Sequence, residues 1–378
     1  MRSAIVHYWL LQMRGGEKVV EALCHLLPDA DVFTLFYDPA KVSATIRSHK
    51  VKASFLNPLR RHYRSLLPLC PMALESMDLR GYDLVISSES GPAKGVLASA
   101  DARHICYCHT PMRYLWDLYP AYLHEWTSSL WKKAAMATFG CPLRAWDYTT
   151  AARVDDFAAN SRNVQKRIWK AYRRKSQVIH PPVAVERFRW SAPGDSYLVV
   201  SELVAYKRIG DAVRCFTRTG RRLRIVGDGP EYAALKKLAG PNIEFCGRVA
   251  AGELRDLYSR CRALVMPGEE DFGIVAVEAM ASGKPVVALG RGGVLEAVHP
   301  ESRGAAVFYT EPGDAPLEEA LRRFEEGEAL VRPAELQTWA ERFSESRFRE
   351  RMLDLIGRRS GTHDSAEHLP RTLQRVGE

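Results

Sequence analysis

Two carboxylates with seven residues between them, Glu270 and Glu278, stand in the segment PGEEDFGIVAVEAMASGKPVVALGRGG (Pro267–Gly293). Between them Gly273 opens a predicted helix that ends at Gly283, with Pro285 barring its continuation. The first N–H groups of such a helix, at Phe272, Gly273 and Ile274, have no intrahelical partner and favour an anion. A carboxylate beside them competes with a bound phosphate unless it points elsewhere. Ionised carboxylates only accept hydrogen bonds, which suits the paired hydroxyls of a sugar. The chemistry these residues suit is therefore a phosphate at the helix end with a sugar on either side of it. Two further loops fit an anion. MRGGEKVVEAL (Met13–Leu23) puts Gly15 and Gly16 where backbone N–H groups can approach a phosphate at a helix start. SELVAYKRIGD (Ser201–Asp211) puts Lys207 and Arg208 just before another helix, where two cations suit a diphosphate. The first loop lacks the G-x-G-x-x-G spacing, which argues against a dinucleotide. Read alone, each loop is equally well a tight turn or a solvated basic turn.

The elements that must position these loops are legible as alternating β-branched runs and amphipathic stretches, the pattern of parallel sheets covered by helices. Strands are predicted over 3–8, 31–36, 82–88, 103–108, 156–160 and 177–180. After the proline-containing linker at 180–195 a second series covers 197–202, 223–227, 243–247, 263–267, 285–290 and 305–309. The fold class is α/β: two Rossmann-like, doubly wound domains facing across a cleft. The two domains are expected over residues 1–182 and 183–345. Residues 346–358 form a helix returning to the first domain, and 359–378 a polar tail. Ligands of such sheets collect beyond the carboxyl ends of the strands. The 378 residues carry a net charge of +9, which invites an anionic partner. There is neither a signal-peptide pattern nor an apolar stretch long enough to span a bilayer, so a cytoplasmic protein is expected. The eight cysteines lie mostly in apolar runs and read as buried thiols without disulfides.

The stretch EEDFGIVAVEAMASGKPVVA resembles the E-x7-E signature of the retaining, family-four glycosyltransferases of GT-B fold. VVSELVAYKR, IVGDGPE (Ile225–Glu231) and NIEFCGRV (Asn242–Val249) fall in the order that family shows, and the resemblance covers roughly 1–345. CYCHTPMRYLWDLY (Cys106–Tyr119) resembles bacterial members that build lipid-linked saccharides, several of them mannosyltransferases. The resemblance implies that Gly16 and Lys207 contact a donor diphosphate, that Glu278 binds the ribose, and that Glu270 binds the transferred sugar. It further implies that His109 sits beside that sugar, that the chain from Arg248 and Val249 meets the base, and that no metal or other cofactor is needed. One position departs from the family. Where an arginine usually stands beside the diphosphate, this chain has Glu202. Either Arg208 or another cation substitutes, or Glu202 turns to a different partner, or donor binding is weak; substitution is the preferred reading.

The implied reaction moves a hexose, first of all mannose from GDP-mannose, to a polyprenyl-diphosphate-linked saccharide. The alternatives are a sugar-nucleotide epimerase of the same fold and a non-catalytic nucleotide-binding protein weakened at Glu202. FLNPLRRHYRSLLPLCP (Phe55–Pro71), with Arg60, Arg61, Tyr63 and Arg64 among leucines, suits an anionic membrane surface. So does the aromatic stretch Tyr114–Lys133. A peripheral place at the inner face of the membrane is expected, with no nucleic-acid partner. HICYCH (His104–His109) has poor zinc spacing, because alternate strand residues point to opposite faces.

Overall fold

A computed structural model describes residues 1–127, 129–298 and 304–358; the polar tail expected over 359–378 lies outside the described residues. Two parallel sheets carry the fold. The first runs β3-β2-β1-β4-β5-β6-β7, with β1 (Ser3–Leu10), β2 (Asp31–Tyr37), β3 (Val51–Ala53), β4 (Leu84–Glu89), β5 (Arg103–Cys108), β6 (Asp156–Ala159) and β7 (Gln177–Val178). The second runs β10-β9-β8-β11-β12-β13, with β8 (Ser196–Val200), β9 (Arg222–Val226), β10 (Ile243–Gly247), β11 (Leu264–Met266), β12 (Val286–Leu289) and β13 (Ala306–Tyr309). Helices cover both faces of each sheet, so the central strands are buried throughout, as their unbroken apolar runs require. Every strand expected from the sequence forms. The strand not foreseen is β3, whose three residues VKA are too short for a periodic signal. It is recruited at the edge by pairing Val32 with Val51 and Thr34 with Ala53.

In each sheet the winding reverses between two neighbouring strands, β1 and β4 in the first and β8 and β11 in the second. A crevice opens at the carboxyl ends of such a pair, because the connections that follow leave toward opposite faces. The loops of interest all leave from these strands. After β1 comes the loop that leads to Gly15 and Gly16, and at the end of β4 stand Ser88 and Glu89. Glu202 and Lys207 follow β8, and Glu269–Asp271 follow β11.

The helix Glu345–Gly357 crosses back from the second domain. It buries Phe348, Met352 and Leu355 in the core of the first domain beside Ile5, Val20 and Ile86, and Phe348 meets Tyr107 edge-on at 5.6 Å. Arg103 fixes its end by donating to the carbonyls of Leu355 (2.9 Å) and Ile356 (2.8 Å). The chain passes between the domains twice, and the two passages lie side by side. Val183 N–H donates to the Phe343 carbonyl at 2.9 Å, and Val183 and Ser344 form a parallel bridge.

Candidate active site

On the second domain, Gly268 lets the loop after β11 lie on the loop after β8. A Cβ at Gly268 would stand 2.7 Å from both Cα and the carbonyl oxygen of Lys207, so no side chain fits. That contact brings Lys207 Nζ to Glu270, to which it donates a hydrogen bond. Burial alone would lower the Lys207 pKa, but Glu270 and Tyr206 beside it raise it, so the ammonium stays charged. Glu270 is held extended by a parallel bridge to Gly292 and by the Gly293 N–H, which donates to its carbonyl at 2.8 Å. Neighbours in an extended segment point to opposite faces. Glu269 and Asp271 accordingly turn away from Lys207 and accept from Arg167. Gly273 caps the helix Ile274–Ala281 at φ 98°, a left-handed conformation that glycine adopts without strain. One turn and more into that helix, buried Glu278 accepts from Tyr258 Oη at 2.8 Å and from Lys18 Nζ at 2.8 Å.

On the first domain, the helix Gly15–Leu26 starts tight against the same loops. A Cβ at Gly15 would meet Ile274 Cδ1 at 3.0 Å. One at Gly16 would meet Tyr8 Oη at 3.4 Å, His7 Cε1 at 3.5 Å and His109 Nε2 at 3.7 Å. The Arg14 N–H donates to Glu17 Oε2 at 3.0 Å, and burial pushes the Glu17 carboxyl up to about 7 against the opposing hydrogen bonds. His109 follows β5. Its N–H donates to the Glu89 carbonyl at 2.7 Å and its Nε2 pairs with Ser88 Oγ at 2.9 Å. Burial lowers the His109 pKa to about 4, so the imidazole is neutral near pH 7. His7 Nδ1 lies 2.8 Å from the Ser88 carbonyl, which can only accept; the proton is therefore on Nδ1.

Charge pairs span the cleft between these two walls. Glu202 faces the first domain, with Oε2 2.5 Å from Arg14 Nη1 and Oε1 3.7 Å from Arg64 Nη2. Arg113 lies 3.8 Å from Asp271, and Glu296 of the second domain caps the helix Arg162–Tyr172 by accepting from the N–H groups of Arg162 (2.9 Å) and Asn163 (3.1 Å). Arg208 stands at φ 54° and donates through Nε to Asp211 at 2.7 Å. The structure thus turns Glu202 toward a cation from across the cleft and ties Arg208 to its own helix.

The remaining predicted residues lie further out. Arg248, exposed after β10, sits 3.8 Å from Asp228, and Val249 packs on the second core. Arg60 and Arg61 belong to an irregular turn at Asn57–His62 rather than to a long helix, and Tyr63 packs on Trp9 at 5.0 Å. Arg64 is drawn from that segment to the cleft. Sequence reasoning passed over Arg14, Lys18, Arg113, Arg167 and Tyr258. Arg14 directly precedes Gly15, and that adjacency was a usable signal. The partners of Arg167 lie 102 and 104 residues away in sequence, and nothing local marks them.

The family profile described as Glycosyltransferase Family 4 matches residues 13–187, and that described as Glycosyl transferases group 1 matches residues 196–325. The chain belongs to the family-four glycosyltransferases of GT-B fold. Among curated relatives of this glycosyltransferase, the sulfoquinovosyl transferase SQD2 of Arabidopsis thaliana is 39% identical over 95 residues, 25% of this chain and 19% of that protein. The GDP-mannose-dependent alpha-mannosyltransferase of Mycobacterium tuberculosis is 35% identical over 122 residues, 32% of each chain. The matches thus span a fifth to a third of these relatives. Among solved structures, Anabaena HepE in complex with UDP and glucose superposes with a TM-score of 0.70 at 18% identity, covering 94% of this chain and 99% of that one. Sucrose-phosphate synthase from Thermosynechococcus elongatus gives 0.70 at 16% identity, covering 94% and 98%. These likenesses are ones of fold.

Proposed function

We propose that this glycosyltransferase moves a hexose from a nucleotide-diphosphate donor to a lipid-linked saccharide, with retention at the anomeric carbon and without a metal. GDP-mannose is the first candidate donor. The observation that carries the reading is the convergence of Lys207, Glu270 and Glu278 around the helix start at Phe272–Ile274, opposite Gly16 and His109. Lys207 and the free N–H groups stabilise the diphosphate as the bond from C1 of the sugar to its phosphate oxygen breaks. The acceptor oxygen bonds to C1 on the same face, and its proton passes to the departing phosphate oxygen. Glu270 orients the sugar through its hydroxyls, neutral His109 contacts the sugar from the other wall, and Glu278 holds the ribose. The positive charge that a metal would bring comes here from Lys207 and the helix end.

Relatives support parts of this reading. Besides the mannosyltransferase above, a second Mycobacterium tuberculosis relative, 36% identical over 101 residues, is a GDP-mannose-dependent phosphatidylinositol monomannoside mannosyltransferase, whose named acceptor is a lipid. HepE was solved with UDP-glucose, which keeps that donor in the comparison. Among the described residues no helix is long and apolar enough to cross a membrane. Leu130 and Trp131 are 80% and 87% exposed beside Lys132, and Leu59 is exposed beside Arg61, which supports peripheral contact with an anionic leaflet. The test is a calorimetric screen of GDP-mannose, UDP-glucose, UDP-N-acetylglucosamine, GDP and UDP, with and without Mg2+. Metal-independent binding of one nucleotide series is expected; no binding to any of them would overturn the donor reading.

A further inference from the structure

The loop after β8 carries an acidic residue where the resemblance led us to expect a cation, and the geometry around it supplies what is missing. Glu202 does not stand alone. Each of its carboxylate oxygens faces a guanidinium of the first domain, Arg14 at 2.5 Å and Arg64 at 3.7 Å. Two positive charges less one negative leave the set at +1, the formal charge a single arginine would have placed there. Arg14 is the N-cap of the helix Gly15–Leu26, directly before the two glycines whose faces are pressed on Ile274 and His109. Its partner Glu202 lies five residues before Lys207 on the same loop. Arg14 thus directly precedes Gly15 and Gly16 in the chain and is bound through Glu202 to the loop that carries Lys207. Its bond to Glu202 engages Nη1, and a guanidinium offers five N–H donors in a fixed fork that matches phosphate oxygens.

We infer that Arg14 is the cation that positions the donor diphosphate in this chain, supplied from across the cleft and held there by Glu202. The inference rests on the donor reading above. Glu202 acts through Arg14 as a positioning residue, and Arg64, largely exposed, balances its second oxygen. An arginine on the second domain would hold a diphosphate whether the cleft were open or closed. Arg14 reaches the same place only when the two walls meet.

Titration calorimetry of the full chain with GDP, UDP, GMP and UMP separates the two readings. If the unaltered chain binds none of them, the donor reading fails and the inference falls with it. If it binds one diphosphate, Arg14→Ala is expected to weaken that diphosphate at least tenfold while changing the matching monophosphate less than twofold. The double variant Arg14→Ala, Glu202→Arg is expected to recover the diphosphate affinity to within threefold, because the cation then returns to the second domain. Thermal melts of each variant check that the fold persists. An unchanged diphosphate affinity in Arg14→Ala, an equal loss for mono- and diphosphate, or no recovery in the double variant would each overturn the inference and leave the Arg14–Glu202 pair as a latch alone.

Discussion

Behind β4, Lys94 lies between Asp147 and Glu89 with no side-chain exposure on Lys94 or Asp147 and 1% on Glu89. At the cleft, Arg14 and Glu202 keep 38% and 25% of their side-chain surface in water. Both sets pair basic side chains with carboxylates, but water decides what each can do. The buried cluster is densely partnered, with Glu89 Oε1 alone facing Lys94 Nζ at 3.4 Å without a hydrogen bond. Asp147 also accepts from Trp116 Nε1 at 2.7 Å and from Tyr172 Oη at 2.8 Å, and Glu89 Oε2 accepts the Lys94 N–H at 2.8 Å. Removing one member of such a set strands a charge out of water. Exposed pairs contribute about 0–1 kcal/mol each, because water and salt compete for both partners. Pairs of that strength can be exchanged for a phosphate or a hydroxyl at little cost. The buried set fixes the wall that carries His109, whose N–H rests on the Glu89 carbonyl, and the cleft set joins that wall's domain to the opposite one through partly hydrated contacts.

The largest effect that could break this contrast is on stability. Asp147→Ala leaves Lys94 buried beside a single carboxyl, and urea denaturation should register a loss of about 3–5 kcal/mol. A loss below about 1 kcal/mol would put the cluster in the same class as the cleft pairs. Next comes activity: Glu270→Ala should lower transfer about 100-fold or more, while donor affinity stays within about tenfold. Comparable turnover would remove Glu270 from its role. A third effect depends on pH. Burial pushes the Glu89 carboxyl up to about 7, against the pull of Lys94 and with Asp147 adding to the rise. The folded chain thus holds a proton that the unfolded chain releases near the ordinary carboxylate value. The stability this supplies is full below about 4.5 and is lost as pH rises through about 7. Glu89→Gln lacks that dependence, so its melting temperature should gain on the unaltered chain between pH 5 and pH 8; a pH-independent difference would mean an ionised Glu89. The smallest effect is that of Arg64→Ala, with Arg64 68% exposed and 3.7 Å from Glu202. Equilibrium unfolding should change by less than about 0.5 kcal/mol.

Much of the frame was legible because each strand announces itself over a handful of residues, and the two crevices follow from strand order. The Lys207–Glu270 pair was within reach for the same reason: both residues sit on loops that the sheet must bring together, and both lie within one domain. Glu278 was singled out from its spacing, but its partners Lys18 and Tyr258 come from helices whose approach is set by packing. Glu202 marks the boundary of what the sequence could supply. Its departure from the family was visible and substitution by a cation was the preferred reading, yet the one candidate named, Arg208, is tied to Asp211, and the cations that face Glu202 lie 188 and 138 positions earlier in the chain. The alternation along Glu269, Glu270 and Asp271 was readable in principle. An extended loop must send the outer two away from the middle one, and only the arginines awaiting them were hidden.

The side-by-side passages at Val183 and Ser344 bear on how the two halves can move. A single covalent crossing would act as a swivel, permitting bending in any direction and twisting as well. Two crossings joined by a backbone hydrogen bond behave as the leaves of a door hinge: they permit rotation about the line that contains both and resist torsion across it. With Phe348, Met352 and Leu355 anchoring the returning helix in the first core, that axis is fixed to one half of the molecule. A hinge of this kind confines relative rotation of the halves to one arc, and on that arc Arg14 and Glu202 share one register.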